Sequence, residues 1–276
     1  MLAAALAVQT GAGIAKGLFD ELGPAGTVLL RTLFGALVLV ALWRPTVRGH
    51  RRGDLGVALA FGLVLAAMNL TFYEAIDRIP LGIAVTIEFA GPLAVAVAGS
   101  RRRLDVAWVV LAAGGILLLV RTGGGGANLA GVAFALTAAA CWAAYILLSQ
   151  RAGRAFPRGE GLALAMVVGT IALVPVGVAG AGSSLFSVGP LAVGAAVGLL
   201  SSAIPYSLEL EALRRLPARA FGVLLSLDPA IAALIGLVLL GQALGAREVA
   251  GIALVVAASV GASATAATPE PAEAMP

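Results

Sequence analysis

Ionisable side chains lie inside long apolar segments of this sequence, where a charge is costly unless it meets a partner. They are Lys16, Arg31, Glu88 and Asp228. Glu88 lies four residues before Pro92, and Asp228 directly precedes Pro229. A carboxylate in such a segment can bind an ammonium group or carry a proton, and a lysine or arginine there can bind a carboxylate. These residue types favour a site for a small molecule that carries both charges.

Glu88 and Lys16 each have a functional and a structural interpretation. Glu88 either binds a substrate ammonium or a coupling proton, or it forms a structural pair with Arg31 or Lys16. Lys16 forms one polar stripe with Gln9 and Gly13, spaced as i, i+4 and i+7 of a helix. Its ammonium either holds a substrate carboxylate or extends to the nearby end of the apolar segment.

Arg31 and Asp228 differ in their surroundings. No polar stripe accompanies Arg31, which favours a fixed structural partner over a substrate contact. Asp228 either takes part in binding and gating or caps the helix that follows Pro229. Arg31 and Asp228 therefore each remain a candidate site residue, with a functional and a structural interpretation.

Uncharged polar residues add further candidates for the lining of a pocket. Ser202, Tyr206 and Glu209 share one helix face at i, i+4 and i+7, although Glu209 lies close enough to the segment end to be a surface residue. The remaining candidates are Asn69, Trp142 and Tyr145. For Asn69, hydrogen bonding between helices is an equal alternative.

The composition defines the class of protein. Of 276 residues, 61% are hydrophobic and 12% charged, with a further 36 glycines and a mean hydropathy of +1.03. A water-soluble domain cannot bury so much apolar surface, so the chain is predicted to be a polytopic α-helical membrane protein. One cysteine and one histidine exclude an internal disulfide, a cysteine or multi-histidine metal site and a histidine-based triad. We therefore expect neither an enzyme nor a bound metal or cofactor.

The apolar runs and the breakers between them predict ten membrane spans. Their approximate ranges are 2–19, 24–43, 55–76, 81–99, 106–120, 131–149, 161–180, 190–212, 218–240 and 247–266. Of the 18 basic residues, 13 lie in or beside the loops after the second, fourth, sixth and eighth spans. By the positive-inside rule these loops are cytoplasmic, and so are both termini. The arginines thus fit membrane topology rather than a nucleic-acid surface.

An internal repeat relates the two halves. The segment Tyr73–Pro80 resembles Leu210–Pro217, and the same offset of 137 places Pro92 on Pro229. Because each half then holds five spans, the second half is inverted in the bilayer, and the paired breaks at Gly91, Pro92 and Pro229 favour a central cavity. Close helix packing is expected at the GxxxG spacings Gly13/Gly17 and Gly194/Gly198.

The repeat defines the predicted domains. They are a first five-helix repeat at 1–121, a Gly-rich connection at 122–130, a second five-helix repeat at 131–266 and a disordered tail at 267–276. Spans three to five of the first repeat correspond to spans eight to ten in the second.

These segments resemble the drug/metabolite transporter superfamily, with its paired five-helix EamA repeats, and most closely its threonine/homoserine exporter branch. The resembling residues are Gln9–Ala12 with Lys16, Pro80–Val85, Glu88–Phe89, Gly91–Leu93, Cys141–Ala143, Tyr145, Ile204–Glu209, Leu216–Arg219, Gly222 and Asp228–Ala230. In one departure, Gln242 follows Leu240-Gly241 where the family usually has an acidic residue. The resemblance implies export of small amino acids or related metabolites, driven by an ion gradient or by exchange.

Together these features predict an inner-membrane secondary transporter that exports small, zwitterionic, threonine- or homoserine-like amino acids by alternating access, coupled to protons or to exchange. In this hypothesis Glu88, with Asp228, binds the ammonium or a proton while Lys16 holds the carboxylate. Within transporters, the alternative is another metabolite or a drug as cargo. The alternatives of other classes are a membrane-embedded enzyme, which the single histidine and cysteine disfavour, and a passive channel.

Overall fold

The computed structural model describes residues 1–98, 103–120, 128–205, 208 and 218–265, and no strand occurs among them. The helices of the first half are α1 (Leu2–Lys16), α2 (Phe19–Trp43), α3 (Arg52–Arg78), α4 (Leu81–Glu88), α5 (Ala90–Ala98) and α6 (Arg103–Val120). Those of the second half are α7 (Leu129–Ala155), α8 (Glu160–Ala181), α9 (Val188–Gly198), α10 (Ala218–Leu225), α11 (Asp228–Leu240) and α12 (Ala246–Thr265). A 3-10 turn, Gly182–Phe186, precedes α9, and a π-helical turn, Leu199–Ala203, follows it.

Within the described ranges, seven helical segments are long and apolar enough to cross a membrane. Shorter apolar helices lie at the remaining predicted positions, at Leu2–Lys16, Val106–Val120 and Val188–Ala203. The prediction of an all-helical chain with many apolar spans is confirmed, while the count of ten spans stays a prediction. Tyr206, Glu209, most of the 122–130 connection and the 267–276 tail lie outside the described residues.

Two of the predicted spans are each divided in the middle. Pro92 has no N–H to donate to the carbonyl of Glu88, and α4 ends at Glu88. In the same way Pro229 cannot bond the carbonyl of Leu225, where α10 ends. Both breaks therefore lie about one turn before the proline that causes them.

Helices of the two halves pack in matched pairs. α2 packs on α8, α4 on α11 and α6 on α12, and α3 packs on α7 and α8 much as α9 packs on α1 and α2. Two halves related by a pseudo-two-fold axis would pack in this way, and the repeat itself stays a prediction. The inverted topology of the halves stays a prediction.

Small residues bring the matched helices together. A Cβ added at Gly115 of α6 would lie 2.7 Å from the carbonyl oxygen of Gly251 in α12, and one at Gly82 of α4 would lie 2.7 Å from the Cα of Ala233 in α11. Such close backbone approach is typical of helix packing in membranes. Of the predicted GxxxG positions, Gly194 packs against Leu30 of α2, and Gly198 packs against the neighbouring turn of that helix; Gly17 faces only its own helix.

Adjacent glycines in α6 offer a matched test of this packing. We expect Gly115→Ala to destabilise the protein by about 1–3 kcal/mol, because its methyl group would overlap the backbone of Gly251. Gly114→Ala should leave stability unchanged or slightly higher, since no atom lies within 4 Å of its added Cβ. The measurement is the thermal unfolding temperature in detergent, and equal values for the two variants would contradict the packing.

Candidate functional site

Glu88 lies at the last position of α4, beside the break, and only 8% of its surface is exposed. Arg31 and Asp228 are the charged residues that interact with it electrostatically. Glu88 forms no ion pair with Arg31 or with Lys16. Because Arg31 nevertheless lies near enough to attract the Glu88 carboxylate, the functional and the structural interpretation of Glu88 both stay predictions.

Asp228 lies across from this carboxylate, at the matched break. It is the first residue of α11 and is partly buried. The N-cap of this helix is Leu227, and a carboxylate in the first turn is favoured by the helix dipole. Its electrostatic interaction with Glu88 indicates that both acidic side chains lie in one region of the molecule.

Arg31 is held inside the protein without a carboxylate partner among the described residues. One terminal nitrogen donates to the Tyr73 hydroxyl oxygen at 3.3 Å and the other to the carbonyl of Ser201 at 3.2 Å. Its guanidinium also lies 5.4 Å from the centre of the Tyr73 ring. These contacts fix its position and leave it without an ion pair among the described residues.

Two further buried polar residues lie on the elements around Arg31. Ser201, in the π-helical turn, is 3% exposed, and Gln9, on α1, is 4% exposed. α1 packs against this turn so closely that a side chain at Gly11 would overlap the Ser201 hydroxyl. Neither the Ser201 Oγ nor the Gln9 Oε1 has a hydrogen-bond partner among the described residues.

The sequence pattern pointed to Ser202 rather than Ser201. In the structure Ser202 packs against α2, where a Cβ at Gly35 would lie 3.0 Å from the Ser202 Oγ. A π-helical turn holds more residues than an α-helical one, so it shifts the positions that share a face. A count in steps of i, i+4 and i+7 therefore misses Ser201.

Lys16 lies at the end of α1 and donates a hydrogen bond to the carbonyl oxygen of Ile76. That carbonyl belongs to the last turn of α3, where no helical N–H is available to it. Asp77 is the charged residue that interacts with Lys16. The structure thus uses the Lys16 ammonium to cap α3, and its contact with a substrate carboxylate stays a prediction.

The other predicted lining residues lie in different places. Trp142 packs edge-on against Phe89, with ring centroids 5.3 Å apart, and so lies beside the break. Tyr145 packs instead on Phe61 and lines a separate cavity of ≈ 110 Å³ between α3, α7 and α8. Asn69 is buried and donates to the Leu65 carbonyl of its own helix. Trp142 thus adjoins the Glu88 region, whereas Tyr145 lines a separate cavity.

The two sides of the helix breaks differ. On one side, called the closed end below, α4 and α11 are in direct contact, and on the other side, called the open end, a cavity separates the helices. α4 and α11 touch where Gly82 meets Ala233. At the opposite end, a cavity of ≈ 150 Å³ separates α5 from α10 and α12. Its lining residues are Phe89, Pro92, Leu93, Ala96, Gly222, Leu225, Ser259, Ala262 and Ser263. This cavity leads from the level of Glu88 toward the last turns of α5 and α12.

Gln242, the departure from the family pattern, belongs to the closed end. α11 ends at Leu240, and the positive φ of 63° at the C-cap Gly241 lets the Gln242 N–H bond back to the Gly236 carbonyl. The Gln242 side-chain oxygen then accepts a hydrogen bond from the Leu81 N–H at 2.9 Å. An amide oxygen thereby caps the first turn of α4, and a carboxylate would accept from the same N–H.

Comparisons with known proteins agree with this architecture. Residues 129–264 match the model of the EamA-like transporter family. Over 267 residues, 96% of this chain and 90% of the relative, the sequence is 42% identical to the threonine/homoserine exporter RhtA of Salmonella typhimurium. At the same coverage it is 41% identical to RhtA of Escherichia coli K12.

A solved crystal structure has the same fold, with a TM-score of 0.67 over 95% of both chains at 20% identity. The named relatives are exporters rather than enzymes. Identity above 40% across nearly the whole chain is far beyond what a shared helical fold alone produces. The chain belongs to the EamA-like transporter family, in the branch that contains the threonine/homoserine exporters.

Proposed function

We propose that this protein is an inner-membrane secondary transporter that exports a small amino acid of the threonine or homoserine type by alternating access. The observation that carries the proposal is Glu88, a buried carboxylate at a mid-span helix break with no ion pair among the described residues. Such a charge is costly in an apolar interior, and the ammonium group of an amino acid offsets that cost. The exporters named above, at 41–42% identity, support the same class of cargo.

Glu88 has two roles that fit its position. It either binds the substrate ammonium directly or carries a coupling proton that leaves as the substrate arrives. Asp228, at the matched break, interacts with Glu88 electrostatically. A first cation in the site, whether a proton or an ammonium group, therefore changes the affinity of both carboxylates for a second cation. A proton-driven or exchange mechanism needs this coupling.

The closed and open ends around Glu88 support alternating access. Gly82 against Ala233 and the hydrogen bond from Leu81 to Gln242 close one end, and the cavity between α5 and α10 opens the other. In the topology predicted from the arginines, with both termini cytoplasmic, the closed end faces outside and the cavity faces the cytoplasm. The structure then corresponds to an inward-facing state, from which an exporter loads its cargo.

The first test is uptake of labelled threonine and homoserine into proteoliposomes, with and without an imposed pH gradient. We expect Glu88→Gln to lower gradient-driven uptake by at least about tenfold, because the amide neither binds an ammonium by charge nor carries a proton. Glu21→Gln is the matched control, since Glu21 is an exposed carboxylate in the first turn of α2. It should transport as the unmodified protein does.

Each outcome of this test decides one part of the proposal. Normal uptake by folded Glu88→Gln protein would remove Glu88 from the mechanism. Transport that ignores the pH gradient would point to exchange rather than proton coupling. If folded, unmodified protein moves neither amino acid, the substrate class is wrong, and another metabolite or a drug becomes the favoured cargo.

Accessibility of single cysteines tests the inward-facing state. In a Cys141→Ala background, Ser263→Cys lies on the cavity, and Ile83→Cys lies in the closed half of α4, where Ile83 is 6% exposed. We expect a membrane-impermeant maleimide to label Ser263→Cys from the cytoplasmic side only, and to label Ile83→Cys slowly from either side. Labelling of Ser263→Cys from outside alone would reverse the orientation, and rapid labelling of both positions from both sides would indicate a channel.

The Gln242 side chain offers a graded test of the closed end. Gln242→Leu removes the acceptor for the Leu81 N–H, and a lost hydrogen bond of this kind shifts an equilibrium by about 2- to 12-fold. We therefore expect Gln242→Leu to increase labelling of Ile83→Cys from outside by about that factor. Gln242→Glu keeps an acceptor oxygen and should label as the parent does. Equal labelling in all three proteins would show that this contact does not hold the end closed.

A further inference from the structure

Arg31 and Ser201 form a buried polar pair with unused hydrogen-bonding capacity. They are joined by the bond from the guanidinium to the Ser201 carbonyl, 3.2 Å long. The Arg31 Nε and the Ser201 Oγ are both buried and have no partner among the described residues. Arg31 is 8% exposed and Ser201 is 3% exposed, so both residues are almost completely buried. Buried donors without partners are rare in folded proteins, and each requires an explanation.

The chemistry of these atoms matches a carboxylate. A guanidinium N–H and a hydroxyl are both donors to a carboxylate oxygen, and Arg31 forms no ion pair with an acidic side chain among the described residues. Its terminal nitrogens are held by Tyr73 and by the Ser201 backbone, so the guanidinium is fixed before any ligand arrives. A fixed donor loses little entropy on binding.

The position of Arg31 relative to Glu88 also suits a ligand that carries both a positive and a negative charge. It is the cation that interacts electrostatically with Glu88, whereas the charged neighbour of Lys16 is Asp77. Lys16 is, in addition, already bonded to the Ile76 carbonyl. Of Lys16 and Arg31, Arg31 is therefore the one with an unused donor near Glu88.

We infer that Arg31 and Ser201 bind the carboxylate of the transported amino acid, at the end of the site opposite Glu88. Gln9, on the helix that packs against the π-helical turn, adds a buried acceptor without a partner in the described residues, suited to an ammonium or hydroxyl donor of the same ligand. This inference rests on the proposed function for the identity of the ligand. It replaces Lys16 with Arg31 as the group that selects amino acids by their carboxylate.

The test compares L-threonine with L-threoninol, in which a CH₂OH group replaces the carboxylate. Each unlabelled compound competes for uptake of labelled threonine into proteoliposomes, and the ratio of their inhibition constants measures recognition of the carboxylate. In the unmodified protein we expect threonine to compete at least about tenfold better, the usual effect of one charge-assisted hydrogen bond. Arg31→Gln should raise the KM for threonine by a similar factor and bring the ratio close to one.

Matched variants separate this role from a structural one. Arg48→Gln changes an exposed arginine in the loop between α2 and α3 and should leave the ratio unchanged. Ser201→Ala removes one hydroxyl and should raise the KM about threefold or more with little change in kcat, which keeps the inference testable if Arg31→Gln does not fold. An unchanged ratio in Ser201→Ala and in folded Arg31→Gln would overturn it. If the ratio of inhibition constants falls to about one in Lys16→Gln and in no other variant, Lys16 binds the substrate carboxylate instead.

A separate readout distinguishes failure of this inference from failure of the proposed function. If the unmodified protein does not transport threonine or homoserine, the remaining proteinogenic amino acids are screened by the rise that each causes in the unfolding temperature. A rise that disappears in Arg31→Gln or Ser201→Ala supports the carboxylate site with a different substrate. A rise that persists in both, or the absence of any rise in the unmodified protein, overturns it.

Discussion

Two backbone hydrogen bonds that proline prevents determine where the helices break at the centre of this molecule. Pro92 and Pro229 have no N–H for the carbonyls of Glu88 and Leu225, so α4 and α10 end in the middle of their spans. Lipid offers no donor for a free carbonyl, which confines such breaks to protein-lined or water-lined space. The cavity beside α5 adjoins one of these breaks, and an acidic side chain lies at each of them.

The contacts between the halves suit a protein that must rearrange. The ion pairs of Arg78 with Glu74 and Asp77 lie within α3 and do not join the matched helices. The matched helices instead meet through small residues, as Gly82 meets Ala233 and Gly115 meets Gly251. Packing of this kind is held by van der Waals contact and can slide in small steps, whereas a buried ion pair would have to be broken at each cycle.

Features with a signal in the local sequence can be predicted from it, whereas contacts with the backbone of distant parts of the chain cannot. A carboxylate or a proline within an apolar run is visible at once, and the region around Glu88 was predicted in this way. The acceptor of Lys16 is a backbone carbonyl, that of Ile76, which no side-chain pattern reveals. Ser201 was missed because a π-helical turn changes the helical period, and Tyr145 because periodicity does not determine which neighbouring helix an aromatic ring meets.

The amide of Gln242 has a consequence for the conditions under which the closed end stays closed. An aspartate or glutamate at this position would accept the same hydrogen bond from Leu81, but it would gain a proton in a sufficiently acidic medium and lose its charge. An amide does not ionise. The strength of this contact is therefore independent of the acidity of the compartment that it faces, and any effect of external acid on the transport cycle must enter through other residues.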